Sequence, residues 1–304
     1  MSDRPRFGLI GTGVWPRLIQ APAARASDAV DFTAVFGRDA AKAETFAAPF
    51  RVRAYTDLDA FLDSVDIVGI SVPPDVQAQF ALAAARAGKP VVMEKPLAID
   101  PAEADAIAAE FETRGVPALV FFTLQLVPRV RNWADAARAT GGWIAGRVDS
   151  FSRVLADTTS PFHGTVAAWR GTAGALWDTG PHAVALLLTI LGDVVDIGAV
   201  RGRGDLKILT LTHAGGAVST ITLTMDAPAN LPGETVLFGA AGKNLLPPSA
   251  DFDGEAMAAY ASALAALASG NISGLPDARL GATVTKILAA AERSLASGRR
   301  IDLR

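Results

Sequence analysis

The chain has 304 residues, half of them hydrophobic and 19% charged, with a formal net charge of −3 and no cysteine. The length suggests two domains, and the charge gives no reason to expect nucleic acid or an anionic membrane as partner. Lack of cysteine excludes disulfides, thiolate catalysis and thiolate-bound metal, and it fits a reducing, cytoplasmic setting.

Met1-Ser2-Asp3-Arg4-Pro5 has no apolar character, which argues against a secretory signal. No later stretch approaches the roughly eighteen apolar residues of a membrane span. From Arg6 to about Val120, short apolar runs alternate with alanine-rich helical stretches. Phe7 to Ile10 reads as a first strand, Pro16 to Arg25 as a helix and Phe32 to Phe36 as a second strand. Asp39 reads as the N-cap of a helix through Phe46. Asp66 to Ile70 and Pro90 to Met93 read as strands, with a helix from Asp75 to Ala87 between them. A helix from Pro101 to Thr113 precedes a strand over Pro117 to Phe121. Strands alternating with helices imply βαβ units. The fold class is therefore α/β, with an N-terminal doubly wound parallel sheet of Rossmann type over residues 1–121.

The pattern changes after about residue 145. Val148 to Leu155 reads as a strand and Ala175 to Leu191 as a helix. Three strands follow, over Asp193 to Val200, Leu206 to His213 and Ala217 to Met225. In the last, Ile221, Leu223 and Met225 alternate with Thr220, Thr222 and Thr224, and the turn His213-Ala214-Gly215-Gly216 pairs it with its neighbour. The threonine face either pairs two sheets across a two-fold axis or meets water. Helices over Glu255 to Ala268 and Ala278 to Ser297 close the chain. Residues 122–304 thus read as an α+β domain with a large, mainly antiparallel open sheet, its last helices free to pack back on the first domain.

Three constellations carry chemistry. Gly8-Leu9-Ile10-Gly11-Thr12-Gly13 joins the first strand to the first helix, where backbone N–H groups and a helix N-terminus accept a pyrophosphate. Pro16 stands where the fingerprint has its third glycine, and proline suits a first helical turn. The second strand ends in Phe36-Gly37-Arg38, with no acid to hold a ribose hydroxyl and an arginine able to bind a 2′-phosphate. NADP is therefore expected in preference to NAD, against a structural turn and a solvated Arg38. Val91-Val92-Met93-Glu94-Lys95-Pro96 places a lysine beyond a buried strand, at the carboxyl edge where parallel sheets bind ligands. With 8 Glu, 6 Lys and 18 Pro, Glu-Lys-Pro is expected about once per hundred such chains. In Trp177-Asp178-Thr179-Gly180-Pro181-His182, a helical spacing sets Asp178 beside His182, where the carboxylate can orient the imidazole. Asp178 could instead serve as an N-cap. His213, beside a turn, reads as structural or exposed, and His163, in a loop, as a group lining a substrate cleft. No histidine pair has metal-ligand spacing, so no metal is expected.

Together these features resemble the glucose-fructose oxidoreductase/inositol dehydrogenase/rhizopine-catabolism (Gfo/Idh/MocA) family of NAD(P)-dependent oxidoreductases. The likeness rests on Gly8 to Gly13, Ser71-Val72-Pro73-Pro74, Ala87 to Ala98, Trp169-Arg170, Gly171 to His182 and Leu191-Gly192. It implies hydride transfer to or from a sugar, inositol or related polyol, with Lys95, Asp178 and His182 as the catalytic group. It further implies cofactor contacts from Gly11, Thr12, Gly13, Val14, Trp15, Gly37, Arg38, Ser71, Pro73, Glu94 and Lys95. Substrate contacts would come from Lys95, Gln125, His163, Trp169, Arg170, Asp178 and His182, and the open sheet would make a homodimer or homotetramer. Gln77 stands where the family often has histidine, and Thr123-Leu124-Gln125-Leu126-Val127-Pro128 lacks the usual arginines. Ala185 stands where an aspartate is common. These departures bear on the substrate. In the competing reading, a non-catalytic NAD(P)- or sugar-sensing protein shares the fold.

Overall fold

Six short segments of the N-terminal part form parallel strands: β1 (Arg6–Ile10), β2 (Asp31–Phe36), β3 (Arg53–Tyr55), β4 (Ile67–Ile70), β5 (Val91–Met93) and β6 (Ala118–Val120). A computed structural model describes residues 4–160, 162, 174–229 and 231–304. It divides into two compact units, Met1–Val127 with Asp251–Ala282, and Pro128–Ala250 with Thr283–Arg304. The first sheet has the order β3-β2-β1-β4-β5-β6, the doubly wound arrangement whose order reverses beside β1. Every residue of β4 and β5 is buried, as strands covered on both faces require. β3 and the helix Leu58–Ser64, capped by Asp57 accepting from the Ala60 N–H at 2.9 Å, were not foreseen. Arg53-Ala54-Tyr55 is too short and too polar to signal a strand.

The first helix departs from expectation in its winding. Pro16–Gln20 is a π turn and Ala21–Ala26 is α-helical, with the Ala21 N–H bonded to the Pro16 carbonyl. Pro22 is the physical reason: it lacks the N–H that would reach back to Leu18, and its ring crowds that carbonyl. The chain returns to this unit with the helix Phe252–Ser269, capped by Asp251 and ended by Gly270 at φ 72°. It delivers Tyr260, fully buried, edge-on to Phe121 at 5.0 Å and Phe7 at 6.3 Å. A Cβ on Gly69 of β4 would lie 2.5 Å from the Tyr260 hydroxyl, so only glycine admits that ring.

The second unit holds β7 (Trp143–Phe151), β8 (Val194–Arg201), β9 (Lys207–His213), β10 (Val218–Thr224), β11 (Glu234–Gly239), β12 (Gly242–Leu245) and β13 (Ile301–Asp302). Their order is β12-β11-β7-β10-β9-β8-β13. β7 starts at Trp143, earlier than expected, and runs parallel to β10, so the sheet is mixed, though its other pairs are antiparallel. The β9–β10 hairpin forms as the sequence implies. Ile221, Leu223 and Met225 are buried as expected, but so is Thr224, whose hydroxyl donates to Asp226 Oδ1 at 2.6 Å. His213 is 1% exposed and structural: its Nδ1 lies 2.8 Å from the Gly192 carbonyl and its Nε2 2.9 Å from Ser219 Oγ. The helix Pro128–Thr140, whose buried Val130, Trp133, Ala134 and Ala137 keep a helical spacing, and the β11–β12 hairpin were not foreseen; Trp133 Nε1 ties them together through Asn244 Oδ1 at 2.9 Å. No helix among the described residues is long and apolar enough to cross a membrane.

Candidate functional site

In the first unit the glycine-rich turn is fixed by backbone bonds on both sides of β1. Gly11 donates its N–H to the Phe36 carbonyl at 3.0 Å, and Ser71 donates to the Ile10 carbonyl at 2.8 Å. Gly11 has φ 121°, and a Cβ there would lie 2.1 Å from the Ser71 carbonyl oxygen. Only glycine fits. Gly13 is exposed, and a Cβ added to it would meet nothing closer than Pro16 at 3.8 Å, which leaves room for a pyrophosphate to approach the backbone. The turn therefore fits a dinucleotide. Thr12 and Val14 are half-buried beside it. A Cβ on Gly37 would lie 3.1 Å from Thr12 Cγ2, so the end of β2 lies against the turn. Phe36 packs inward on Phe80 and Phe61, with ring centroids 5.6 and 5.9 Å away. Asp39 is spent as the expected N-cap, accepting from the Lys42 N–H at 3.1 Å. Arg38 is exposed, with no side-chain hydrogen bond to the other described residues.

The Glu-Lys-Pro turn leaves the carboxyl end of β5, with a cis Lys95–Pro96 peptide and a half-buried Lys95. The Glu94 N–H donates to the Ile70 carbonyl at 2.9 Å. The Glu94 carboxylate accepts from Trp15 Nε1 at 2.9 Å and Gln20 Nε2 at 2.6 Å, so two expected cofactor residues, Trp15 and Glu94, hold each other. Burial, reinforced by the Glu94 charge, pushes the Tyr260 phenol well above its ordinary pKa. Ser71 is buried after β4, and Pro73 is exposed at the start of the helix Pro74–Arg86. Gln125 lies buried in the one-turn helix Thr123–Leu126.

In the second unit, residues 174–178 are helical and the helix Gly180–Leu191 follows across Thr179. Thr179 is the N-cap by position and makes no side-chain cap bond, so Asp178 does not serve as the cap. Asp178 and His182 are both half-buried, and each takes part in polar interactions. Asp205 closes the helical start: its Oδ2 accepts from the Ala175 N–H at 2.9 Å and the Met225 N–H at 3.2 Å, while Oδ1 pairs with Lys207 Nζ. Asp226 supports it by accepting the Asp205 N–H at 3.1 Å. The Thr224 hydroxyl bonded to Asp226 holds that carboxyl below the usual aspartate range. Gly174, at φ 61°, allows the approach, since a Cβ would lie 2.2 Å from Asp205 Oδ1. Trp177 is 1% exposed and donates to Glu292 Oε1 at 2.7 Å. His163, Trp169 and Arg170 lie outside the described residues. Sequence reasoning missed Gln20, Asp205 and Glu292 and noted Gln77 only as a departure; each is a polar residue whose partner lies far along the chain. Among the described residues no cluster of His, Asp and Glu could hold a metal ion.

Residues 5–122 match the family described as "Oxidoreductase family, NAD-binding Rossmann fold". The dTDP-3,4-didehydro-2,6-dideoxy-alpha-D-glucose 3-reductase of Streptomyces antibioticus is 30% identical over 254 residues, which are 80% of this chain and 75% of that protein. The UDP-N-acetylglucosamine 3-dehydrogenase of Acidithiobacillus ferrooxidans is 35% identical over 222 residues, 71% of this chain and 66% of that one. An uncharacterised Saccharomyces cerevisiae relative runs longer, and the chain spans 57% of it. Among solved structures, the WlbA dehydrogenase from Bordetella pertussis, in complex with NADH and UDP-GlcNAcA, shares the fold with a TM-score of 0.82. It is 24% identical, over 99% of each chain.

Proposed function

The chain belongs to that oxidoreductase family, the Gfo/Idh/MocA group, and from this premise we propose that it moves a hydride between NADP and a secondary alcohol or carbonyl of a sugar, inositol or related polyol. The observation that carries the reading is Lys95, presented on a braced turn at the carboxyl end of β5. Gly11, Thr12 and Gly13 would hold the pyrophosphate, and Arg38, exposed with no bonding partner among the described residues, supports binding of a 2′-phosphate.

When bound, the dinucleotide supplies the hydride acceptor or donor. The protein's own task is the proton and the charge on oxygen. An alcohol is about as weak an acid as water, so neutral imidazole does not deprotonate it outright. As the carbonyl forms, the hydroxyl proton becomes acidic, and His182 takes it, a contribution on the order of 10² to 10⁴ in rate. Lys95 donates a hydrogen bond to the same oxygen and stabilises its developing negative charge. Asp178 orients the imidazole. In reverse, His182 returns the proton. Exchange of the Lys95 and His182 roles gives the same balance of atoms.

Oligomerisation belongs to the same proposal. Val200, Ile208, Val218 and Phe238 share one face of the second sheet by strand register and are 61, 38, 41 and 37% exposed. Apolar side chains gathered on an open sheet support pairing with a second copy, as a homodimer or homotetramer.

The test is nicotinamide absorbance with NADP⁺ and NAD⁺ side by side across pyranoses, inositols and nucleotide-linked sugars. Turnover with one substrate class is expected, faster with NADP⁺. Lys95→Ala should cut turnover at least about 100-fold and leave dinucleotide affinity within a few-fold. Full activity in that variant would remove Lys95 from the chemistry.

A further inference from the structure

We propose that two buried glutamines, Gln20 and Gln77, form a clamp that positions Lys95. The proposal rests on the reading of Lys95 as catalytic. Gln20 ends the π turn Pro16–Gln20, and Gln77 lies in the first turns of the helix Pro74–Arg86. They are 1% and 0% exposed. An alanine-rich helix face that meets an apolar sheet gains nothing from an amide unless the amide has a partner to hold.

Both glutamines hold the turn that carries Lys95. Gln77 Nε2 lies 2.8 Å from the Glu94 carbonyl, 3.0 Å from that of Leu97 and 3.2 Å from that of Pro96. An amide nitrogen carries two N–H donors, so three acceptors are served with one N–H shared. The reversed amide would set an oxygen against three carbonyl oxygens, so the orientation is fixed by the neighbours. The carbonyls grasped flank Lys95 on both sides, which defines the path of the backbone through it. Gln20 Nε2 takes the other handle, the Glu94 carboxylate, at 2.6 Å, and Trp15 Nε1 shares that carboxylate at 2.9 Å. The same contact ties the glycine-rich turn to the lysine turn. A group meant to meet a developing charge must be held to a fraction of an ångström. Here the holders are side chains on two helices, and neither titrates.

Gln20 and Gln77 are positioning residues, and the test reads Lys95 directly. Reductive ¹³C-dimethylation labels the six lysines of the chain, and the Lys95 methyl resonance is identified by its loss in Lys95→Arg. Gln77→Met keeps the volume and removes the donors; Gln20→Met does so on the other side. Each should displace or broaden the Lys95 resonance alone. Each should also lower kcat about ten- to hundred-fold, with NADPH Kd and substrate KM within about three-fold. A circular-dichroism melt selects variants folded at the assay temperature, and Gln77→Asn, which keeps one donor on a shorter arm, replaces Gln77→Met if the latter does not fold. An unmoved Lys95 resonance with unchanged kcat overturns the clamp. A displaced resonance together with full activity in Lys95→Ala leaves the clamp standing and overturns the catalytic reading instead.

Discussion

Asp205 and Lys207 show how much one residue can be asked to do. Their side chains are 13% and 7% exposed, and the carboxylate also accepts two backbone N–H groups. Removing one member of a buried, hydrogen-bonded ion pair strands the other charge, and this typically costs about 3–5 kcal/mol. Asp205→Asn should therefore lower the urea-unfolding free energy by about 3 kcal/mol, and adding Lys207→Met should recover a good part of it. Equal midpoints for wild type and Asp205→Asn would mean the pair contributes nothing net. The same bond holds the start of the helical turn that carries Asp178.

Among the elements, the β9–β10 hairpin carries a pH signature. Burial lowers the pKa of His213 below its ordinary 6.5, outweighing the bond to the Gly192 carbonyl. The unfolded chain thus takes up this proton first as pH falls. The stability from this site is fully present above about pH 6.5 and declines as pH drops toward the folded value. His213→Gln should flatten the fall in melting temperature between pH 7 and 5; identical slopes for the two proteins would rule the site out. Legible in the sequence were β1, β2, β4, β5 and β6, short and largely apolar runs, and β8, β9 and β10, which follow one another between turn signals. β3, β11, β12 and β13 escaped notice because short or polar strands borrow their order from neighbours. The parallel pairing of β7 with β10 is invisible to periodicity, which reports faces and not direction. Lys95 was legible through its proline and its place after a strand. Gln77 was not, since a lone glutamine in an alanine-rich helix looks like a solvated residue until the carbonyls beneath it are seen. The π turn was not legible, since Pro16 to Arg25 reads as one ordinary helix until the bonding around Pro22 is seen.

The molecule as a whole is built from an interrupted first unit: Met1–Val127 is completed only by Asp251–Ala282. The helix Phe252–Ser269 covers Phe7 and Phe121 with Tyr260. A fragment of residues 1–127 should therefore expose that apolar surface, bind a hydrophobic dye and precipitate. The same fragment joined by a Gly/Ser linker to residues 251–282 should remain soluble and monomeric on a sizing column. A soluble, dye-free 1–127 fragment would show that the returning helix is dispensable.

That discontinuity sets a schedule for synthesis. A ribosome adding about 5–20 residues per second emits the glycine-rich turn and the lysine turn long before the helix that finishes their unit. The nascent dinucleotide fold must wait, with its apolar flank uncovered, while residues 128–250 are made. The segment that ends the wait is alanine-rich and helical, the kind that orders fastest. The unit begun first is thus finished late, and any chaperone that attends this chain has its longest engagement with the N-terminal sheet.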